Sequence, residues 1–243
     1  MMNLDLTFRL ARPSDFDEIM ELSEGIYDGH DYLPFRYQTW MKMKNVAVML
    51  AYSGEKLVGL AVCCVLDEGR TWLARAGRTL QEFQGQGVFK GVLQATRDQV
   101  IRRHFPKVRR QLRVTQKVYP SRRKITHQDI LTFPVLKGSL RSYHYHASNR
   151  SVQIKPCSKD YICDVVFSPP VATQLFPDGI VIVENIPIAP LRSNIDFVTM
   201  EGDVYFAVEK CIVGTFPRSV SFGLLSPRVK MVHWSVTVYT SFV

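Results

Sequence analysis

Nowhere do the 243 residues contain an apolar run long enough to cross a bilayer, which takes about 20 consecutive apolar positions. The first ten residues also lack the charged start and apolar stretch of a signal peptide, so a soluble chain with a cytoplasmic location is expected. Paired cysteines are missing too. Cys63, Cys64, Cys157, Cys163 and Cys211 are odd in number and include no C-x-x-C, which argues against a disulfide framework or a zinc knuckle and for plain reduced thiols. Acidic side chains are absent between Gln99 and Gln128, where ten basic ones stand: Arg102, Arg103, Lys107, Arg109, Arg110, Arg113, Lys117, Arg122, Arg123 and Lys124. Such a block is a solvated face, a nucleic-acid surface or a clamp for a polyphosphate ligand. Only Phe105 and Tyr119 offer aromatic faces within it, and no zinc-finger, RNP or helix-turn-helix pattern accompanies it, so nucleic acid ranks last. His144 and His146 could face one way on a strand, but no cysteine or carboxylate stands near them, which favours loop histidines over metal ligands.

What is present is ordinary globular material, 46% hydrophobic with a net charge of +9. Pro13-Ser14-Asp15 opens a helix, with Ser14 as N-cap and Asp17 three residues on, and Phe16, Ile19, Met20, Ser23 and Ile26 then share one face. Tyr27 to Trp40 reads as an irregular, aromatic-rich stretch. Val46 to Tyr52 and Leu57 to Val65 read as strands around the turn Ser53-Gly54-Glu55-Lys56, and Thr71 to Leu80 as a third strand. A helix from Val88 should stop at Pro106. Leu112 to Thr115 and Ile130 to Phe133 are further strands, which makes the first 135 residues an α/β layer. From Tyr161 onward, short β-branched runs at Gly179 to Val183, Val204 to Val208, Val220 to Leu224 and Val229 to Tyr239 indicate a mostly β region with faint helices or none. The expected division is residues 1–140 and 160–243, with a polar linker between.

The segment Gln84-Gly85-Gln86-Gly87 carries the chemistry. Two glycines permit a tight turn with bare amides, and a helix starting at Val88 adds unpaired N–H groups and the positive end of its dipole: a site for an anion. A Walker loop requires Gly-Lys-Ser/Thr, which does not follow Gly87. A dinucleotide fingerprint requires a third glycine where Lys90 stands and an acid where basic residues follow. The stretch Thr79-Leu80-Gln81-Glu82-Phe83-Gln84-Gly85-Gln86-Gly87-Val88 resembles instead the pyrophosphate loop of the GCN5-related N-acetyltransferases, [R/Q]-x-x-G-x-[G/A], with Phe89 departing at the last, normally small position. The opening Phe8-Arg9-Leu10-Ala11-Arg12-Pro13-Ser14-Asp15-Phe16-Asp17 is similar to that superfamily's first strand and helix. Residues Leu22 to Pro34 and Gly85 to Phe89 resemble the branch that acetylates L-histidine.

The resemblance implies a mixed, mostly antiparallel twisted sheet with helices on both faces, followed by a degenerate module of the same kind. Because no second loop motif occurs and Trp234 to Val243 ends inside a strand-like run, a truncated or alternative form is an expectation. The implied activity is acetyl-CoA-dependent N-acetylation of a small amine, L-histidine by resemblance, with no nucleic acid, membrane or metal involved. The alternatives are a non-catalytic relative that binds coenzyme A or a partner, and an acetyltransferase for another amino acid, polyamine or peptide. Backbone groups of Arg78, Thr79 and Leu80 would hold the pantetheine arm, and amides of Gln84 to Phe89 the pyrophosphate. Glu82 is a candidate base, its alternative a structural loop carboxylate, and Tyr119 a candidate acid. Tyr32, Arg36 and Tyr37 lie where the superfamily builds its acceptor wall; their alternative is packing of a helix on the sheet.

Overall fold

The computed structural model describes residues 4–25, 31–113, 153–183, 186–210, 215–227 and 232–241. Strands β2 (Val46–Ser53) and β3 (Lys56–Leu66) form a hairpin, with Gly54 in the left-handed region at φ +59° to close its turn. These strands lack an apolar–polar alternation because both of their faces are covered. Leu60, Val62 and Cys64 enter one apolar cluster, and Val58, Ala61, Cys63 and Val65 enter another. Strand β1 (Thr7–Leu10) pairs with β2, and β4 (Thr71–Thr79) pairs with β3, both antiparallel. Strand β5 (Arg110–Arg113) lies parallel to β4, giving a five-stranded sheet in sequence order. A parallel partner needs a crossover, and α3 (Val88–Thr96) provides it. This helix continues through residues 97–104 and stops before Pro106, as expected.

Helix α3 buries Val88, Val92 and Leu93 with the second cluster, while α1 (Phe16–Leu22) and α2 (Leu33–Trp40) bury Ile19, Leu33, Tyr37 and Trp40 with the first. The sheet therefore carries helices on both faces. Two local expectations are corrected. The chain enters α1 through a short 3-10 turn in which the Arg12 amide donates to Asp15 Oδ2 at 2.7 Å, so Asp15 rather than Ser14 closes the start. The stretch before Trp40 is helical from Leu33, because Pro34 in the first turn is preorganised for a helix start and needs no intrahelical donor there.

The later residues form a second sheet, β6 (Ile154–Cys157), β9 (Asp203–Glu209), β10 (Ser219–Pro227) and β11 (Val232–Thr240), in the order β11-β10-β9-β6. A hairpin of β7 (Val181–Val183) and β8 (Ile186–Ile188) stands apart from it. Helices α4 (Pro169–Leu175) and α5 (Arg192–Glu201) decide between the two readings of this region in favour of a sheet with helices that are faint in the sequence. Phe206, Val208, Val220 and Phe222 belong to the same apolar cluster as α1 and α2, so the described residues of the two halves share one core within one compact unit. The strand expected at Ile130 to Phe133 lies outside the described residues. No described helix is long and apolar enough to cross a membrane.

Candidate functional site

The glycine loop is built as a helix-start anion site requires. Gly85 and Gly87 sit at φ +77° and +86°, a region costly for other L-residues, and Gly87 is the N-cap of α3. The first intrahelical bond runs from Gly91 N to Gly87 O at 2.9 Å, so the amides of Val88, Phe89 and Lys90 precede it in the turn that a helix leaves without internal acceptors. Side chains brace the loop from behind: Gln86 Nε2 donates to Glu82 O at 2.6 Å and Gln84 Nε2 to Thr79 O at 3.4 Å. Residues 84–87 are exposed, whereas Val88 is buried and anchors the helix start. Gly59 on β3 makes that approach feasible, since a Cβ there would stand 2.7 Å from Val88 Cγ1.

The strand feeding the loop is irregular just before it. Leu60 pairs with Arg78 and Val62 with Arg75, so the single β3 residue Ala61 faces both Ala76 and Gly77 on β4: a β-bulge, with Ala76 at φ +50°. On the opposite edge, β5 pairs with Thr71 to Ala74 of β4. Phe89 does not crowd the loop. Its ring lies on Gly77, where a Cβ would come within 2.5 Å of Phe89 Cε2, so the large residue at the usually small position is turned onto β4.

The other face of β4 holds a buried charged network. Arg75 Nη1 contacts Glu201 Oε2 at 2.7 Å, and Arg78 Nη2 contacts Asp31 Oδ1 at 2.8 Å, all four side chains at most 7% exposed. The second oxygen of Glu201 accepts from Trp40 Nε1 at 2.9 Å. The Arg75 guanidinium stands 5.2 Å from the Tyr32 ring centre and 5.6 Å from that of Trp40, and the two rings meet edge to face. Asp31 Oδ1 also accepts from Leu33 N, which ties the start of α2 to the central strand. Beside this network the buried thiol of Cys64 is pushed well above its ordinary value, first by burial and then by the charge of Glu201.

The sequence candidates therefore separate. Thr79, Leu80 and the residues Gln84 to Phe89 come together at the strand end and helix start. Arg78 contributes backbone only, its side chain being buried against Asp31 on the other face. Glu82 is exposed on the loop and paired with Lys56 at 2.8 Å. That hydrogen bond holds its carboxyl below the usual range, the reverse of what a base at neutral pH needs, and favours the structural-carboxylate alternative. Tyr37 is sealed in the core, its hydroxyl donating to Arg12 O and its pKa pushed up to about 12 by burial, so it is packing rather than wall. Arg36 is buried toward the second half, donating to Ser226 Oγ at 3.1 Å and resting on Gly202, where a Cβ would stand 2.6 Å from its Nη1. Tyr32 alone of the three is half-buried at the surface of the network. Tyr119, His144 and His146 lie outside the described residues. The network's members without a sequence signal are Glu201 and Asp31, each a buried charge whose partner is distant in sequence, whereas Arg75 and Arg78 stand on the central strand as alternative cations to Arg36. A cavity of about 580 Å³ lined by Pro156, Cys157, Tyr205, Ser221, Gly223 and Val236 shares no residue with the loop or the network.

No protein-family model matches the chain. It is similar to a histidine N-acetyltransferase of Oreochromis niloticus, 35% identical over 162 residues that cover 63% of this chain and 48% of that one. It is also similar to a histidine N-acetyltransferase of Scomber australasicus, 29% identical over 244 residues, covering 90% and 71%. A probable N-acetyltransferase 16 of Homo sapiens is 29% identical over 212 residues, covering 81% and 57%. The chain is thus a sequence relative of these N-acetyltransferases, and it spans about half the length of the first of them.

Proposed function

We propose that this protein is an acetyl-CoA-dependent N-acetyltransferase acting on the α-amino group of a small amine, with L-histidine as the acceptor. The observation that carries the reading is the bulged β4 running directly into the Gly85/Gly87 turn at the start of α3. A diphosphate accepts hydrogen bonds from such amides and is favoured by the helix dipole. The end of β4 and the residue after it, Arg78 to Leu80, offer backbone groups to the amide-rich arm of coenzyme A and an amide to polarise its thioester carbonyl. In the transfer the amine nitrogen attacks that carbonyl, the C–N bond forms, the C–S bond breaks, the amine loses a proton and the thiolate gains one. An α-amino group has a pKa near about 8 and is mostly protonated at neutral pH, so deprotonation is part of the work. The resemblance alone assigns the proton for the thiolate to Tyr119, and residues 160–243 to a degenerate module of the same kind.

The acceptor wall is Tyr32, and the cation for an amino-acid carboxylate is Arg75, the guanidinium that lies over the Tyr32 ring, since Arg36 is turned to Ser226. The test is incubation with acetyl-CoA and a panel of amino acids, polyamines and peptides, read by thiol release. Histidine should release thiol and its methyl ester should be a poor substrate. An ester as good as the acid would refute carboxylate recognition and favour a peptide or polyamine acceptor. A second reading, a coenzyme A-binding protein without transfer, is favoured by the Phe89 ring on Gly77; it would bind coenzyme A in calorimetry and release no thiol with any amine.

A further inference from the structure

We infer that Glu201, contributed by the second half of the chain, is a positioning residue for the acceptor site: it fixes the Arg75 guanidinium against Tyr32. The inference rests on the acetyltransferase reading above. Glu201 is the last residue of α5 and is 1% exposed, and both of its oxygens are engaged with the first half, Oε2 with Arg75 and Oε1 with Trp40. The glycine that follows it, Gly202, leaves room for Arg36 to pack beside it. A buried ion pair is a weak stabiliser, since desolvating the two charges offsets most of their attraction, and an apolar pair of similar volume often serves as well. What such a pair does supply is orientation. The Arg75 guanidinium, bonded through Nη1 to Glu201 Oε2, is restrained in its place against the Tyr32 and Trp40 rings. Tyr32 is half-buried, where Asp31, Trp40, Arg75, Arg78 and Glu201 are buried, and so is the most exposed member of the network. The acceptor site is accordingly completed by the second half, and Glu201 acts on the acceptor only through Arg75 and Tyr32.

The test is Glu201→Gln, which keeps the side chain's shape and an acceptor for Trp40 while removing the charge that grips Arg75. KM for histidine should rise roughly tenfold or more, as expected for loosening a hydrogen bond to a charged group, with KM for acetyl-CoA unchanged. A clamp that only joins the two halves would lower the unfolding temperature and the active fraction and leave both KM values alone; that outcome overturns the inference while the wild type's activity upholds the reading. Should Glu201→Gln not fold, Glu201→Asp keeps the charge but shortens its reach to Arg75 and decides the matter: a selective rise in histidine KM supports the inference, unchanged values overturn it. If the wild type acetylates a different amine, the same split is read with that amine. A wild type that releases thiol with no amine overturns both the reading and the inference.

Discussion

Replacing Gly87 with valine tests the proposed anion site at an exposed point. Gly87 is at φ +86° and ψ 4°, and a Cβ built there meets nothing within 4 Å, so the cost of the substitution is chiefly that of the backbone. For an L-residue in that region the cost is about 1–2 kcal/mol, and a chain of this size should lose roughly 2–4 °C in Tm for each kcal/mol. The loop relieves the strain by rotating, which re-aims the amides of Val88, Phe89 and Lys90. Losing one charge-assisted hydrogen bond is worth about 1.5–3 kcal/mol, equal to roughly a tenfold to hundredfold rise in the Kd for coenzyme A. Calorimetry with coenzyme A reads this directly. Gly54→Val is the control, because Gly54 is also left-handed at φ +59° and open, but closes the β2–β3 turn. It should lose similar stability and keep full affinity. A folded Gly87→Val variant with wild-type affinity would refute the anion-site argument, and equal losses in both variants would reduce the effect to general destabilisation.

Two further outcomes follow from local geometry. Gly77→Ala places a methyl group within 2.5 Å of Phe89 Cε2 and should destabilise by about 1–3 kcal/mol, the usual range for overpacking. In a Phe89→Ala background most of that loss should vanish, and a double-mutant cycle by urea unfolding that came out additive would contradict the contact. Asp15 is held below its ordinary pKa chiefly by its hydrogen bond from Arg9. A depressed carboxylate adds stability above its unfolded value, near about 3.9, and loses it as pH falls through the folded value. The stability gap between wild type and Asp15→Asn should therefore be full at neutral pH and close in acid; a gap independent of pH would show that the ion pair contributes nothing.

The strand, loop and helix from Thr71 to His104 were legible because each of their causes is local. Those causes are the apolar strand run, glycines at the positive φ angles, a 3.6-residue period from Val88, and Pro106 to stop it. The positions hidden in the sequence are the buried polar ones. In α2 the buried residues Leu33, Arg36, Tyr37 and Trp40 do follow helical spacing, but an arginine interrupts the apolar face. In α5 the buried set of Asn194, Ile195, Phe197, Val198 and Glu201 is broken the same way at both ends. Such residues can be inside only because partners far along the chain satisfy them: Asp67 for Asn194, and Arg75 with Trp40 for Glu201. The sequence by itself determined where the glycine loop sits, since glycine conformations and a helix start are properties of neighbouring residues. Only the tertiary structure decided that Tyr37 and Arg36 turn inward and that Glu201 grips Arg75 across 126 residues, because the pairing of buried charges is set by which faces the fold brings together.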